Sequence, residues 1–276
     1  MMSGRHTGEQ HLHTVEGTDP QLYVAVHEPK TDAGLRPVLL IHGFSSSSKL
    51  NWEDTGWLAV LLEAGRRVIT VDLPGHGRSG APEDMDSYSP SRIRADLLQI
   101  AFDAGARPLR DGDPASGLDV IGYSLGSRLA WEFGATQHEL VHRLVLGGPN
   151  VADPLADFDL VAAQRYLADG TPIADASTAG LLKMAQLLPS NNIFALLSLV
   201  EAIKDEPFDP AEAVPPMPML LVAGEKDERA ESMPELAALG AKAGALVEQL
   251  ILPARNHTNA ITSRAFKQGA IEFLGA

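Results

Sequence analysis

Three side chains that together make an alcohol nucleophilic stand far apart in this chain: Ser124 in GYSLG, Asp227 in LLVAGEKDERA and His257 in LILPARNHTNA. A serine hydroxyl reacts poorly until a neighbouring base takes its proton, and that base needs an acid to orient it. Spacing sets this serine apart. Gly122 and Gly126 flank it in the pattern G-x-S-x-G, where a strand turns sharply into a helix and only small neighbours let the two approach. The helix beginning there would aim its positive end and free N–H groups at an oxyanion. Alone, five residues of common types say little, so the case rests on what surrounds them.

The elements that must position these residues are legible as apolar runs. Strands are expected at 10–16, 21–28, 37–42, 66–71, 117–122, 142–148, 217–223 and 246–252, the middle ones continuously apolar as in strands covered on both faces. Helical patterns fill 51–64, 90–105, 124–137, 231–243 and 259–274. The alternation implies an α/β fold, with a mostly parallel eight-stranded sheet carrying helices on both faces. The first two runs are too close for a crossover helix and should form an antiparallel hairpin at one edge. Residues 149–216 contain helical patterns and no convincing strand, and read as a helical insertion over one end of the sheet rather than an independent domain. The core is then 1–148 with 217–276.

This arrangement brings the three residues beyond the C-terminal ends of three strands, where ligands bind in such sheets, in the chain order Ser, Asp, His. Two further motifs end strands at the same crevice. LLIHGF, residues 39–44, makes a tight turn, and the N–H groups of Phe44 and Leu125 are the candidate oxyanion donors. DLPGHGRSG, residues 72–80, suits a compact turn shaping the floor of the site, and His76 in it reads as solvated or structural rather than catalytic.

With these motifs in place, the chain resembles the α/β-hydrolase fold family over essentially its whole length after the first few residues. The His42-Gly43 turn, DLPGHGRS, GYSLG, the Asp227 loop and the His257 loop follow the family's order and approximate spacing. The resemblance implies Ser124 as nucleophile, His257 as general base and acid, Asp227 as the orienting carboxylate, His42 as support for the oxyanion turn, and the insertion 149–216 as a cap, or lid. It also implies acyl transfer through a serine ester, since the family's haloalkane dehalogenases and epoxide hydrolases carry aspartate at the elbow. Two positions depart from the pattern: Asn256 stands where many members have glycine before the histidine, and Ser127 where a second glycine often follows the elbow. Competing acids are Asp153 and Asp157, after the strand ending near Gly148, and Glu225. His138 and His142 belong at the opposite rim.

The insertion supplies Phe158, Tyr166, Leu181, Leu182, Met184, Ile193, Phe194, Leu196 and Leu197, and such a lid suits a small, neutral, partly apolar substrate, although cap helices need apolar faces simply to pack. Ser45, Tyr123, Phe158, Tyr166 and Phe194 are the expected substrate-binding residues. The serine run 45–48 is either a polar contact surface or a mobile loop.

Bulk properties bound the function class. The net charge of −14 argues against nucleic-acid or anionic-membrane partners. With no cysteine, there is no disulfide framework, thiolate nucleophile or Cys-ligated metal site. The start of the chain lacks an apolar signal core, and no run approaches the roughly 20 residues that span a bilayer. A cytoplasmic protein is expected, with no metal or organic cofactor required and its oligomeric state open. The expected activity is serine hydrolysis of an ester, with thioester, lactone or carbon–carbon cleavage as variants. A ligand sensor with little turnover and a cofactor-free perhydrolase are the alternatives.

Overall fold

The computed structural model describes residues 11–14, 21–153 and 155–275. Eight strands form one sheet in the order β1-β2-β4-β3-β5-β6-β7-β8. They are β1 (His11–Thr14), β2 (Tyr23–His27), β3 (Val38–Ile41), β4 (Val68–Val71), β5 (Leu118–Tyr123), β6 (Val141–Gly147), β7 (Met219–Gly224) and β8 (Val247–Leu252). β1 and β2 pair antiparallel at one edge, β2 also runs antiparallel to β4, and every later pairing is parallel. Residues 10, 15 and 16 of the expected first strand lie outside the described residues.

Strand periodicity explains why the central runs are apolar throughout. Along β3, Leu39 and Ile41 enter one hydrophobic cluster while Val38 and Leu40 enter the other. The first cluster packs under α2 (Pro90–Asp103) and α3 (Leu125–Thr136). The second packs under α1 (Trp57–Glu63) and the C-terminal α9 (Arg264–Gly275), where Trp52, Trp57 and Phe266 meet edge to face.

Two expected helices are broken. The stretch read as 51–64 divides into a π-helical turn, Lys49–Glu53, and α1, with Gly56 between them at φ 82°. The stretch read as 259–274 divides into a four-residue α8 (His257–Ala260) and α9. Between β6 and β7 the chain is helical: α4 (Leu160–Asp169), α5 (Ala176–Gln186) and α6 (Ile193–Asp205). Asp159, Asp175 and Asn192 cap them, each side chain accepting from a first-turn backbone N–H. α6 rests on the loop after β4, where a Cβ at Gly75 would overlap that of Ala195. α7 (Met233–Lys242) links β7 to β8. Among the described residues, no helix is long and apolar enough to cross a membrane.

Candidate active site

Ser124 occupies the turn between β5 and α3 with φ at 56°, a conformation a non-glycine residue adopts only at a cost of order 1–3 kcal/mol. Packing on both sides holds it there. A Cβ at Gly122 would overlap the Gly126 carbonyl, and one at Gly126 would overlap that of Ile41, so α3 comes close to β5 and β3 only with glycine at both positions. Ser127, replacing the second glycine, is buried and donates to the carbonyls of Gly122 and Gly147 at 3.0 and 2.7 Å.

The three strand ends bring Ser124, His257 and Asp227 together. His257 Nδ1 lies 2.7 Å from Asp227 Oδ2 and Nε2 lies 2.9 Å from Ser124 Oγ. A carboxylate only accepts, so Nδ1 carries the proton toward it, and Nε2 is left to accept from the serine hydroxyl. Asp227 is buried and caps the 3₁₀ turn Glu228–Ser232, accepting from Arg229 N at 3.1 Å. Burial opposes its ionisation. The hydrogen bond and charge of His257, together with the Arg229 N–H and guanidinium, outweigh burial and hold the carboxyl below its ordinary value.

His257 is aimed by its surroundings. It opens α8, whose N-cap Asn256 accepts from Asn259 N at 3.0 Å while the Asn259 carboxamide accepts from Asn256 N at 2.9 Å. The departure from glycine at 256 therefore supplies a reciprocal cap. The Tyr123 hydroxyl donates to the His257 carbonyl, and its ring lies 5.5 Å from the imidazole. Burial, with Asp227 nearby, pushes that phenol above its ordinary value. Gly148, at φ 59°, leaves the imidazole its space, because a Cβ there would meet His257 Cε1 at 2.6 Å.

Two of the rival acids are engaged by other partners, Asp153 on the wall of the cavity that opens on Ser124. Asp153 is buried in an ion pair with Arg128, Asp157 is exposed, and Glu225 accepts from Ala254 N at 2.7 Å. His142 lies beside Asp119, and His138 is exposed.

The turn expected to hold an oxyanion is built from the loop after β3. His42 and His76 are fully buried, correcting the solvated option for His76. Burial drives both below the ordinary histidine range, His76 to about 3, with His42 adding to the effect. Asn51 lies beside the turn, its Oδ1 accepting from Gly43 N at 2.9 Å. The serine run is tied down rather than loose: Ser45, Ser47 and Ser48 are buried, Ser48 donates through both N and Oγ to Asp72 Oδ1, and Ser45 and Ser46 face the cavity beside Ser124. Among the described residues, neither Phe44 N nor Leu125 N finds a protein acceptor.

A cavity of about 300 Å³ opens on Ser124 and His257. Phe44, Leu125, Trp131 and Leu236 form part of its wall, with Leu181, Met184, Leu187 and Leu188 from α5 and its C-terminal end and Phe208 from beyond α6. Of the expected substrate-binding residues, Ser45 and Tyr123 reach this wall, although Ser45 N is committed to His76 and the Tyr123 hydroxyl to His257. Phe158, Tyr166 and Phe194 do not. Phe158 is buried in the core, Tyr166 is 40% exposed, and Phe194, in the first turn of α6, is 74% exposed while Ala195 and Leu196 turn inward. Asn51, Gly148, Leu187, Leu188 and Phe208 also line the cavity and were not among the residues expected from the sequence. Only Gly148, in the pair ending β6, carried a signal of close approach.

A family model described as alpha/beta hydrolase fold matches residues 36–213. Protein ABHD14A of Danio rerio is 33% identical over 91 residues, 31% of this chain and 32% of that protein. The chain spans about a third of the length of the first curated relatives it matches. A structure from work on carboxylesterases of Nitrososphaera gargenis superposes with a TM-score of 0.71 at 14% identity, covering 96% of this chain and 97% of that one. The enol-lactonase of Burkholderia xenovorans LB400 gives 0.68 at 18% identity, over 96% of this chain and all of that one, 100%. With the family model covering more than half its length, the chain belongs to the alpha/beta hydrolase fold family.

Proposed function

We propose that this protein is a serine hydrolase that cleaves a carboxylic ester or a related acyl bond through an acyl-enzyme, with Ser124 as nucleophile, His257 as general base and acid, and Asp227 as orienting acid. The observation that carries the reading is the unbroken hydrogen-bond sequence Ser124 Oγ, His257 Nε2, His257 Nδ1, Asp227 Oδ2 at the edge of a cavity. In the proposed reaction, Ser124 Oγ attacks the substrate carbonyl as His257 Nε2 takes its proton. The negative charge that develops on the carbonyl oxygen is met by Phe44 N–H and Leu125 N–H. Asp227, held ionised, stabilises the imidazolium without taking the proton itself. His257 then protonates the departing alcohol, and the same nitrogen activates the water that frees the acid and restores Ser124.

Residues 149–216 act as the cap over this centre, and the apolar side chains from α5 to Phe208 favour a small, partly apolar acyl or alcohol group. The carboxylesterase work and the enol-lactonase among the fold relatives fit carbonyl chemistry of this kind, ester or lactone. Turnover of p-nitrophenyl acetate and butyrate tests the reading. Ser124→Ala and His257→Ala should each lower kcat by about 10⁴-fold or more. Undiminished turnover in either variant would overturn it.

A further inference from the structure

The turn beneath the proposed oxyanion contains three successive backbone N–H groups, and side chains capture the outer two. Gly43 N donates to Asn51 Oδ1 at 2.9 Å, and Ser45 N donates to His76 Nε2 at 3.0 Å. Phe44 N, between them, has no protein acceptor among the described residues. Phe44 is half-buried and lines the cavity, so of the three amides only the middle one is left for a group that enters it. The peptide containing Phe44 N is also held by its other end, where Gly43 O accepts from His42 Nδ1 at 2.8 Å. Ser45, just beyond, is kept at φ 58°, a conformation that costs free energy unless its surroundings impose it.

Each captor is itself fixed. The His76 ring donates from Nδ1 to Pro74 O at 2.9 Å, which leaves Nε2 as an acceptor, and its loop is clamped by α6 through Gly75. Gly75 O accepts from Asn192 N at 3.2 Å. Asp72 binds the same loop to the serine run, accepting from Arg78 N at 2.9 Å and from Ser48. Asn51 comes from the π-helical turn Lys49–Glu53, a local widening that recurs at functional sites.

We propose that His76 and Asn51 are positioning residues that hold the Phe44 N–H toward the carbonyl oxygen of the substrate, so that DLPGHG and the π turn serve the reaction without touching it. This rests on the serine-hydrolase reading. Neither side chain need contact substrate: an oxyanion donor must stand within a few tenths of an ångström of its place before the charge develops, and a turn with free outer amides would swing.

The test compares wild type with Asn51→Ala, His76→Leu and His76→Gln, the last placing an amide oxygen near the position of Nε2. Three quantities are read: kcat and KM for p-nitrophenyl acetate, Ki for a trifluoromethyl ketone that forms a tetrahedral adduct on serine, and Tm. Asn51→Ala and His76→Leu should each lower kcat by roughly 10- to 100-fold with KM within about 3-fold, and weaken the ketone by the same factor. His76→Gln should recover most of both. Loss of kcat with ketone affinity unchanged would make the contacts merely structural and overturn the proposal, as would wild-type kinetics in Asn51→Ala. Should His76→Leu fail to fold, Asn51→Ala on the cavity wall decides alone. A wild type that neither turns over ester nor binds the ketone overturns the hydrolase reading and this proposal with it.

Discussion

The strand-end side of the cavity is assembled from turns whose polar atoms are tied one to another, whereas the side facing it, from α5 to Phe208, offers apolar side chains and few hydrogen bonds. On the strand side, Ser124, Gly126, His42, His76 and Asp227 each occupy a place that another residue type would not fill, by sterics or by hydrogen-bond capacity. On the helical side, Leu181, Met184, Leu187 and Leu188 could exchange for other apolar residues of similar volume at little cost in stability. In the proposed reaction the first region supplies the chemistry and the second the selectivity, and substitutions should separate them.

The largest separation is expected between two buried aspartates. Asp227→Asn should cost about 10⁴-fold in kcat with only a modest loss of Tm, because the amide orients His257 in the wrong tautomer. Asp153→Asn removes the nearer of the two carboxylates on buried Arg128, leaving Glu132 at 3.6 Å, and should destabilise by about 2 kcal/mol while kcat stays within about 10-fold. Paired kinetics and thermal melts on the two variants check this, and the reverse pattern would transfer the acid's role to Asp153.

A pH effect follows from the same carboxylate. Asp227 titrates in the folded protein below its ordinary 3.8, so its contribution to stability is full above that value and is lost as pH falls through the lower folded one. Melts from about pH 6 down to about pH 3 should show Asp227→Asn losing less Tm than wild type across that range. Equal losses would place the acid sensitivity elsewhere.

The helical side should respond more weakly. Met184→Ala and Leu187→Ala are expected to raise KM for butyrate and longer esters a few-fold, about 1 kcal/mol per lost contact, with acetate turnover nearly unchanged. Phe194→Ser, at an exposed position off the cavity wall, should change either by less than about 2-fold. A large effect of Phe194→Ser would mean that α6 closes over the site in a way this arrangement does not have.

The same contrast explains what was legible in the sequence. Strand runs such as LDVIGY and the glycines around Ser124 carry geometric necessity in their types and spacing, and Asp227 and His257 follow strand ends that are apolar enough to recognise. Phe158, Tyr166 and Phe194 stand in the apolar patterns of the insertion, yet an amphipathic pattern tells which face of a helix is apolar and not what that face meets. Phe158 meets the core and Phe194 meets solvent. Asn51 was hidden by a different cause: an expected helix over 51–64 gave it no reason to point at Gly43, and the π turn that aims it has no periodicity to read. The break before α9 arises from the Asn256–Asn259 cap and the end of α8 at Ala260, local chemistry that overrides a continuous apolar pattern.

The most direct measurement of the central claim is the intact mass of the protein after brief exposure to a fluorophosphonate, which needs an activated serine and no knowledge of the substrate. One stoichiometric adduct is expected on wild type, absent from Ser124→Ala and from His257→Ala. A wild type that stays unmodified, or an adduct that persists in Ser124→Ala, would contradict it.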